Sequence, residues 1–397
     1  MSTQSRPTLH LLAGRHRRAL GGYPWIYSNE IAMDAAAKAL PAGSVVAIQA
    51  ADGRMVGAGT FNPHTLIAVR VLTSDPTAEI GAAFLAERLR AALHWRERMF
   101  GIPFYRLVHA EADGLGGLIL DRFGDTVVVQ ITTAGMERLR TPLLEAIDTV
   151  LAPRCVVLKC DPAARDTEGL ESYVTVAKGA LDGPIEGREG AIRFLADLSG
   201  GQKTGWFYDH RENRAAVASL TPGMRVLDAY CYAGGFALHA AVAGAREVVA
   251  LDRSADALAV AERAAALNGV AERCTFRRAD VFEEMERMMG AGERFDVTIV
   301  DPPAFAKSRK DVPTALKGYR KLARLGAALT APGGFLFIAS CSHNVDEAHF
   351  GEEVRRGVEK AGRQARILRR SGAAPDHPVH PSLPESAYLK AELLALD

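Results

Sequence analysis

A chain of 397 residues is long enough for two or three domains and too long for a single hydrophobic core. Hydrophobic residues make up 48%, charged residues 24%, and the mean hydropathy is essentially zero, which is the composition of a globular chain and excludes disorder as its main state. The 48 Lys and Arg against 47 Asp and Glu leave a net charge of +1, so any polyanionic partner has to be held by local clusters.

Residues 1–75 read as a small β-rich unit. Ser44–Gln49, Arg54–Phe61 and Leu66–Leu72 are strand-like runs separated by the turn formers Asp52-Gly53 and Asn62-Pro63, a pattern that predicts a small barrel. Ahead of them Arg15, Arg17 and Arg18 precede the aromatic stretch Tyr23-Pro24-Trp25-Ile26-Tyr27. Basic residues beside exposed rings suit RNA, where guanidinium groups meet phosphates and rings stack on bases; a solvated arm beside a core tryptophan is the plainer reading. Residues 76–185 predict a helix over Phe84–Phe100, strands at Leu118–Asp121 and Thr126–Ile131, a helix over Leu139–Leu151 and a strand at Cys155–Lys159, an α+β segment with no evident catalytic set. The Gly- and Pro-bearing stretch Asp182–Gly190 is the candidate boundary, giving segments 1–75, 76–190 and 191–397. From residue 191 five apolar runs, Arg225–Asp228, Glu247–Asp252, Cys274–Asp280, Phe295–Asp301 and Gly334–Ser340, are mostly separated by helix-length segments. That alternation predicts a parallel sheet covered on both faces in an α/β fold, with Ala387–Leu396 as an edge strand.

No apolar run approaches the roughly 20 residues of a membrane span, and Met1–Pro7 lacks the apolar core of a secretory signal, so the expectation is a cytoplasmic protein without a membrane partner. The five cysteines form no CxxC pair and no zinc-like spacing with histidine. No metal site is expected, and the odd count reads as free thiols.

The chemistry-bearing residues gather at predicted strand ends. Asp228-Ala229-Tyr230-Cys231-Tyr232-Ala233-Gly234-Gly235-Phe236 follows the first strand of the alternation, and glycines there let the backbone approach a ligand beyond the carboxyl ends of the sheet. Asp252 ends the second run 24 residues after Asp228, near the offset at which an acid meets ribose hydroxyls, and Asp280 ends the third. Singly each could be a helix cap. Asp301-Pro302-Pro303 stops the fourth strand and leaves an acid beside the crevice, as either a stiff terminator or a partner for a nucleobase. Cys341, in Ser340-Cys341-Ser342 after the fifth, is read as the one cysteine at this edge; about 3% of an unperturbed thiol is thiolate at pH 7, so a nucleophilic role requires help from His343 or nearby cations. Two basic segments follow, one with Lys307, Arg309, Lys310, Lys317, Arg320, Lys321 and Arg324, the other from Arg355 to Arg370. Such runs are usually solvated helix faces, but the first, directly after Asp301-Pro302-Pro303, would attract a polyanion at the mouth of the site.

In order and spacing, Asp228–Phe236, Asp252, Asp280, Asp301–Phe305 and Ser340-Cys341-Ser342 resemble the motifs of class I S-adenosylmethionine-dependent RNA methyltransferases. The resemblance extends further: Tyr23–Ser28 and Gly57–Asn62 resemble the PUA domain of the single-cysteine large-subunit rRNA cytosine-C5 methyltransferases. Tyr105–Val108 through Gly116–Arg122 resembles their central domain, and Thr204–Arg211, Asp376–Val379 and Tyr388–Lys390 resemble further signatures. Where other cytosine-C5 enzymes carry a second cysteine, this chain has Pro303-Ala304. The resemblance implies a Rossmann-like sheet with a PUA-like barrel and a central α+β domain. It implies Cys341 and Asp301 as catalytic residues, with S-adenosylmethionine held by Phe207, Arg211, Asp228, Tyr230, Gly234, Gly235, Asp252, Arg253, Asp280 and Val281. Large-subunit rRNA would be met by Arg15, Arg17, Arg18, Lys307, Arg309, Lys310, Lys317 and Arg320. Three readings stay open beside it: another nucleotide such as uracil, a small-molecule substrate with Cys341 structural, and a non-catalytic RNA-binding protein. The target nucleotide and the oligomeric state, a homodimer included, stay open as well.

Overall fold

The computed structural model describes residues 6–161, 164–198, 200 and 204–397. The chain divides into two compact units, Met1–Gly183 with Pro378–Pro384, and Pro184–His377 with Glu385–Asp397.

The first unit holds two five-stranded sheets. In one, Ser44–Gln49, Met55–Phe61 and Ile67–Thr73 form an antiparallel meander, flanked by Thr8–His10 and Trp25–Tyr27. The meander follows the apolar runs of the sequence; the flanking strands, three residues each, are too short for alternation to reveal. Gly53 takes φ +87° in the predicted turn, a conformation that strains other residues. The second sheet runs Tyr173–Lys178, Cys155–Cys160, Thr126–Ile131, Leu118–Phe123, Phe104–His109, against helices Ala82–Phe100 and Arg140–Leu151. A buried polar node joins the two sheets. Glu168 accepts from Asn62 Nδ2 at 2.8 Å, from Arg70 at 2.8 Å and from the Ala134 amide at 3.2 Å.

The second unit opens with a hairpin, Ile185–Glu189 and Ile192–Ala196. After helix α1 (Arg211–Ala218) strands and helices alternate: β1 Arg225–Ala229, α2 Gly235–Val242, β2 Glu247–Asp252, α3 Ala255–Leu267, β3 Cys274–Arg278, α4 Val281–Gly290, β4 Phe295–Val300, α5 Val312–Leu329, β5 Thr330–Ser340, α6 Glu347–Lys360, β6 Ala365–Ser371 and β7 Lys390–Leu396. The sheet order is β3-β2-β1-β4-β5-β7-β6, parallel through β5, with β7 antiparallel to both neighbours. Continuous buried runs such as Val248–Leu251 and Val297–Val300 are what a sheet covered on both faces requires. Helices α2 and α3 pack on β1, β2 and β3, while α4, α5 and α6 pack on one another with α5 over β4 and β5. The winding reverses between β1 and β4, which opens a crevice at the carboxyl ends of the strands.

One expectation is corrected. The C-terminal strand is not an edge strand: β7 lies between β5 and β6, and the edge on that side is β6, whose first six residues are exposed. With no buried face, β6 has no apolar alternation, so the sequence showed only its arginines.

Helices α5 and α6 touch at Gly357, where a Cβ would lie 2.5 Å from the Ala323 Cβ and 2.6 Å from the Arg320 carbonyl oxygen. Gly357→Ala should destabilise the protein by about 1–3 kcal/mol through overpacking, read as a lower urea midpoint with an unchanged m-value.

Candidate active site

Beyond β1 the chain turns through Tyr230-Cys231-Tyr232-Ala233-Gly234 into α2. Tyr230 and Tyr232 have φ +69° and +48°, left-handed conformations that cost about 1–2 kcal/mol each and mark a functional turn. Gly234, at φ +80°, caps α2, and a Cβ there would press to 3.0 Å on Ala261 of α3. Asp252 braces the turn: Oδ2 accepts the Tyr232 amide at 3.0 Å and Oδ1 the Ser254 amide at 2.8 Å.

Asp228 sits behind this turn, 1% exposed. One carboxylate oxygen accepts the Ala237 amide at 2.9 Å; the other has no hydrogen-bond partner among the described residues. Burial pushes its carboxyl up to about 7, with Asp301 and Asp252 adding to the rise and the Ala237 bond opposing it. Asp280 caps α4 through the Glu283 amide at 3.2 Å.

The loops after β4 and β5 are laced together. Tyr319 of α5 is fully buried, and its hydroxyl lies 2.8 Å from both Ser340 Oγ and Ser342 Oγ, the residues on either side of Cys341. Ser342 Oγ accepts the Ala306 amide at 3.2 Å, and Asn344 Nδ2 donates to the Ala306 carbonyl at 3.2 Å. The serines thus hold the cysteine's backbone against the Asp301-Pro302-Pro303 loop. From β7, paired with Ser340, buried Lys390 donates through Nζ to the carbonyls of Ser342 and Val345 at 2.6 and 2.7 Å. Burial lowers the lysine from its ordinary value, and Cys341 is the first group opposing that shift.

These loops enclose a cavity of about 400 Å³. Phe207, Tyr230, Gly235, Asp252, Arg253, Asp280, Val281, Asp301 and Cys341 line it; Arg211, Asp228 and Gly234 stand outside the lining. Cys341 is not the only cysteine there, as the sequence reading had it: Cys231 lines the cavity too. The two differ chemically. Cys231 is buried, and burial, with Asp228 and Asp252 nearby, drives its thiol well above the ordinary range, which suits an inert side chain. Burial likewise raises Cys155, Cys160 and, to about 11, Cys274.

Two features are visible only in three dimensions. His210 reaches the cavity with Nε2 at 3.2 Å from Asp301 Oδ2. Burial disfavours its charged form, but Asp301 outweighs that and holds the imidazole above its ordinary value. The wall formed by Trp206 and Phe207 rests on a buried ion pair: Glu189 accepts from Arg214 at 2.6 and 2.7 Å and from Trp206 Nε1 at 3.2 Å, while Arg214 also donates to the Phe207 carbonyl at 2.8 Å. The motif Thr204–Arg211 was visible in the sequence, but not that it folds beside Asp301.

The basic candidates divide. Lys307, Arg309, Lys310 and Lys317 are exposed with no acidic side chain in ion-pair range among the described residues. Arg320, by contrast, is paired with Glu353, and Lys321 and Arg324 with Glu286. In the second basic segment Arg355, Arg356, Arg363 and Arg370 likewise have acidic partners. In the first unit Arg15, Arg17 and Arg18 are exposed, and the Arg18 guanidinium lies 3.8 Å over the Tyr23 ring. Of the aromatic stretch, Trp25–Tyr27 is a strand with Ile26 in the core, and Trp25 Nε1 donates to Glu111 at 2.8 Å.

The ion pair makes a pH prediction. Burial alone would raise the Glu189 carboxyl, but Arg214 and then His239 hold it at about 2 against an ordinary 4.5. Its contribution is complete above about 4.5 and is lost as the pH falls toward 2. Glu189→Gln should therefore destabilise the protein by about 3–5 kcal/mol at pH 7, and the gap in urea midpoint from the unmutated protein should narrow as the pH drops from 4.5.

Comparison with known proteins agrees with this geometry. Residues 181–395 match the S-adenosylmethionine-dependent methyltransferase family, and residues 9–74 match the PUA-like domain. The chain is 37% identical over 391 residues to the ribosomal RNA large subunit methyltransferase I of Aeromonas hydrophila, covering 96% of this chain and 98% of that one. It is 35% identical to the protein of the same name from Salmonella arizonae, covering 97% and 96%. The fold is shared, at 18% identity and a TM-score of 0.82, with a protein from Streptococcus mutans described as a SAM-dependent methyltransferase, over 98% of this chain and 100% of that one. A methyltransferase structure complexed with SAH gives a TM-score of 0.83 at the same identity and coverage. With a cofactor crevice at the reversal of a doubly wound sheet, a family match over more than half its length and relatives matched nearly end to end, this chain belongs to the S-adenosylmethionine-dependent methyltransferases, in the family of the ribosomal RNA large subunit methyltransferases I.

Proposed function

We propose that the protein methylates C5 of a cytosine in large-subunit ribosomal RNA, with Cys341 as nucleophile. The observation that carries the reading is that Asp301 and Cys341 line one cavity together with the strand-end carboxylates Asp252 and Asp280. The names of the relatives support large-subunit rRNA as substrate.

The residues present fit the cofactor. The strained Tyr230–Gly234 turn, the N-terminus of α2 and the carboxylates of Asp252 and Asp280 form a crevice suited to a ligand with ribose hydroxyls and a cationic end, and the orphaned oxygen of Asp228 lies just behind it. Tyr230, Gly235, Asp252, Arg253, Asp280, Val281 and Phe207 would hold S-adenosylmethionine, which supplies the methyl group when bound. Asp228 holds the first turn of α2 through the Ala237 amide and stands outside the cavity lining.

Pyrimidine C5 becomes nucleophilic once a thiolate has added at C6. In this reading the Cys341 sulfur forms the bond to C6 while Asp301 protonates N3, giving an enamine whose C5 accepts the methyl group. A base then takes the C5 proton, the electron pair left behind re-forms the C5–C6 double bond and expels Cys341 as a thiolate, and N3 returns its proton to Asp301. The target base has to leave its stack to reach the cavity, and Lys307, Arg309, Lys310 and Lys317 are the cations available to hold the strand that carries it.

Three experiments test this. Cys341→Ala should abolish turnover on 23S rRNA while leaving cofactor affinity within about threefold. RNA with 5-fluorocytosine at the target should trap the unmutated enzyme and the Cys231→Ala variant but not Cys341→Ala. Turnover by Cys341→Ala, or a trapped peptide carrying another cysteine, would overturn the assignment. Neutralising Lys307, Arg309 and Lys310 together should weaken RNA binding and reduce the slope of log K against log salt by about two to three, whereas Arg320→Ala, which removes a cation already paired with Glu353, should leave the slope unchanged.

A further inference from the structure

His210 is a buried, titratable side chain at the cavity wall for which the chemistry above has no use. It is 4% exposed, and its ring is gripped by Phe236 and Phe337, whose centroids lie 5.4 and 6.2 Å away in edge-on arrangements. Apolar surroundings of this kind would accept a leucine or a phenylalanine. What sets the histidine apart is that both ring nitrogens have directed partners. Asn213 Nδ2 donates to the Gly372 carbonyl at 3.3 Å, which fixes the orientation of the amide, and the same Nδ2 lies 3.2 Å from His210 Nδ1. Ser371 Oγ donates to Asn213 Oδ1 at 2.7 Å and holds the amide from its other end. With Nδ1 accepting from Asn213, the neutral ring carries its proton on Nε2, which is protonated in the charged ring as well and faces Asp301 Oδ2 at 3.2 Å. Among the described residues no other side chain is in ion-pair range of the Asp301 carboxylate.

We propose that His210 is the positioning residue of Asp301: held by Asn213 and Ser371, it directs its Nε2–H at one carboxylate oxygen, fixes the rotation of the carboxyl group and leaves the other oxygen to meet the ring nitrogen of the target base. This rests on the reading of Asp301 as the group that acts at N3. His210 gives up no proton in this role; it supplies one fixed hydrogen bond, and its value lies in setting the angle at which Asp301 meets the base. The backbone of Asp301 is already fixed by the hydrogen bond that its amide donates to the Ala229 carbonyl at 3.3 Å and by the two prolines that follow, so the side-chain rotation is the freedom left for His210 to remove.

The test measures initial rates of methyl transfer from tritiated S-adenosylmethionine to an unmodified 23S rRNA transcript, with cofactor affinity measured separately by calorimetry. The variants are His210→Ala, His210→Phe, His210→Gln, Asp301→Ala and the double variant His210→Ala with Asp301→Ala. His210→Ala should lower kcat by about 10- to 100-fold with cofactor Kd unchanged within about threefold. His210→Gln, whose amide can donate to Asp301, should recover most of the rate; His210→Phe, which fills the same aromatic slot without a donor, should not. The double variant should be no slower than Asp301→Ala alone, because His210 acts only through Asp301. Equal rates for the Gln and Phe variants, a kcat for His210→Ala within twofold of the unmutated enzyme, or a double variant slower than Asp301→Ala would each overturn the proposal. The Gln and Phe comparison decides the matter if His210→Ala does not fold. Full activity in Asp301→Ala, or no activity of the unmutated enzyme on this RNA, would instead overturn the reading on which the proposal rests.

Discussion

The second unit is organised by one topological constraint, the reversal of winding between β1 and β4. β1 sends the chain outward through β2 and β3, and the return to β4 on its other side parts the connections at the carboxyl end of the sheet. Because all five parallel strands run the same way, every residue at a strand end is delivered to one rim. That is why Tyr230, Asp252, Asp280, Asp301 and Cys341, spread over more than a hundred positions, line one cavity. The fold provides the gathering; the residue types provide the chemistry.

A rim of loops is the part of such a fold most free to move, and here buried hydrogen bonds oppose that freedom. The Tyr319 hydroxyl, with Ser340 and Ser342, ties the Cys341 loop to α5, and Ser342 and Asn344 tie it to Ala306. Lys390 reaches across from β7 to two carbonyls of the same loop. On the opposite wall the Glu189 and Arg214 pair fixes Trp206 and Phe207. A buried ion pair contributes little net stability against an apolar replacement, so its value at this place lies in orientation. The cost of the arrangement shows at the β1 turn, where two tyrosines adopt left-handed backbone conformations, and at Asp228, whose burial raises its carboxyl to about 7.

The cysteines illustrate how environment separates two residues of one type. Cys231 and Cys341 both face the cavity, and their residue type is the same. Cys231 lies beneath the β1 turn near two aspartates, where a thiolate is disfavoured. Cys341 is partly exposed, flanked by two anchored serines and adjacent in the sheet to the strand that carries a buried ammonium group. No count or spacing of cysteines distinguishes these surroundings.

Much of this was legible in the sequence, for a physical reason. Parallel strands buried on both faces must be continuous apolar runs, so β1, β2, β4 and the second half of β5 could be read directly, as could the aspartates that end or follow the first four strands, and the ordered motifs resembled those of a methyltransferase; β3, in which no residue is buried, was legible only through the alternation of strands and helices. Other strands without a periodic buried face did not register: the three-residue flanking strands of the first sheet, and the exposed edge strand β6, which displaced the C-terminal strand from the edge it was expected to occupy. Pairings between distant residues were equally invisible. Sequence showed a run of positive charge after Asp301, but only the fold determined that Arg320 is matched by Glu353 while Lys307, Arg309 and Lys310 are left to solvent. It also showed His210 and Asp301 as members of separate motifs 91 positions apart. The sequence by itself determined the order of elements and the chemical groups at their ends, because those depend on local periodicity and residue type; the tertiary structure alone decided which groups touch, which charges are neutralised and which thiol is buried, because those depend on contacts between segments that no local pattern encodes.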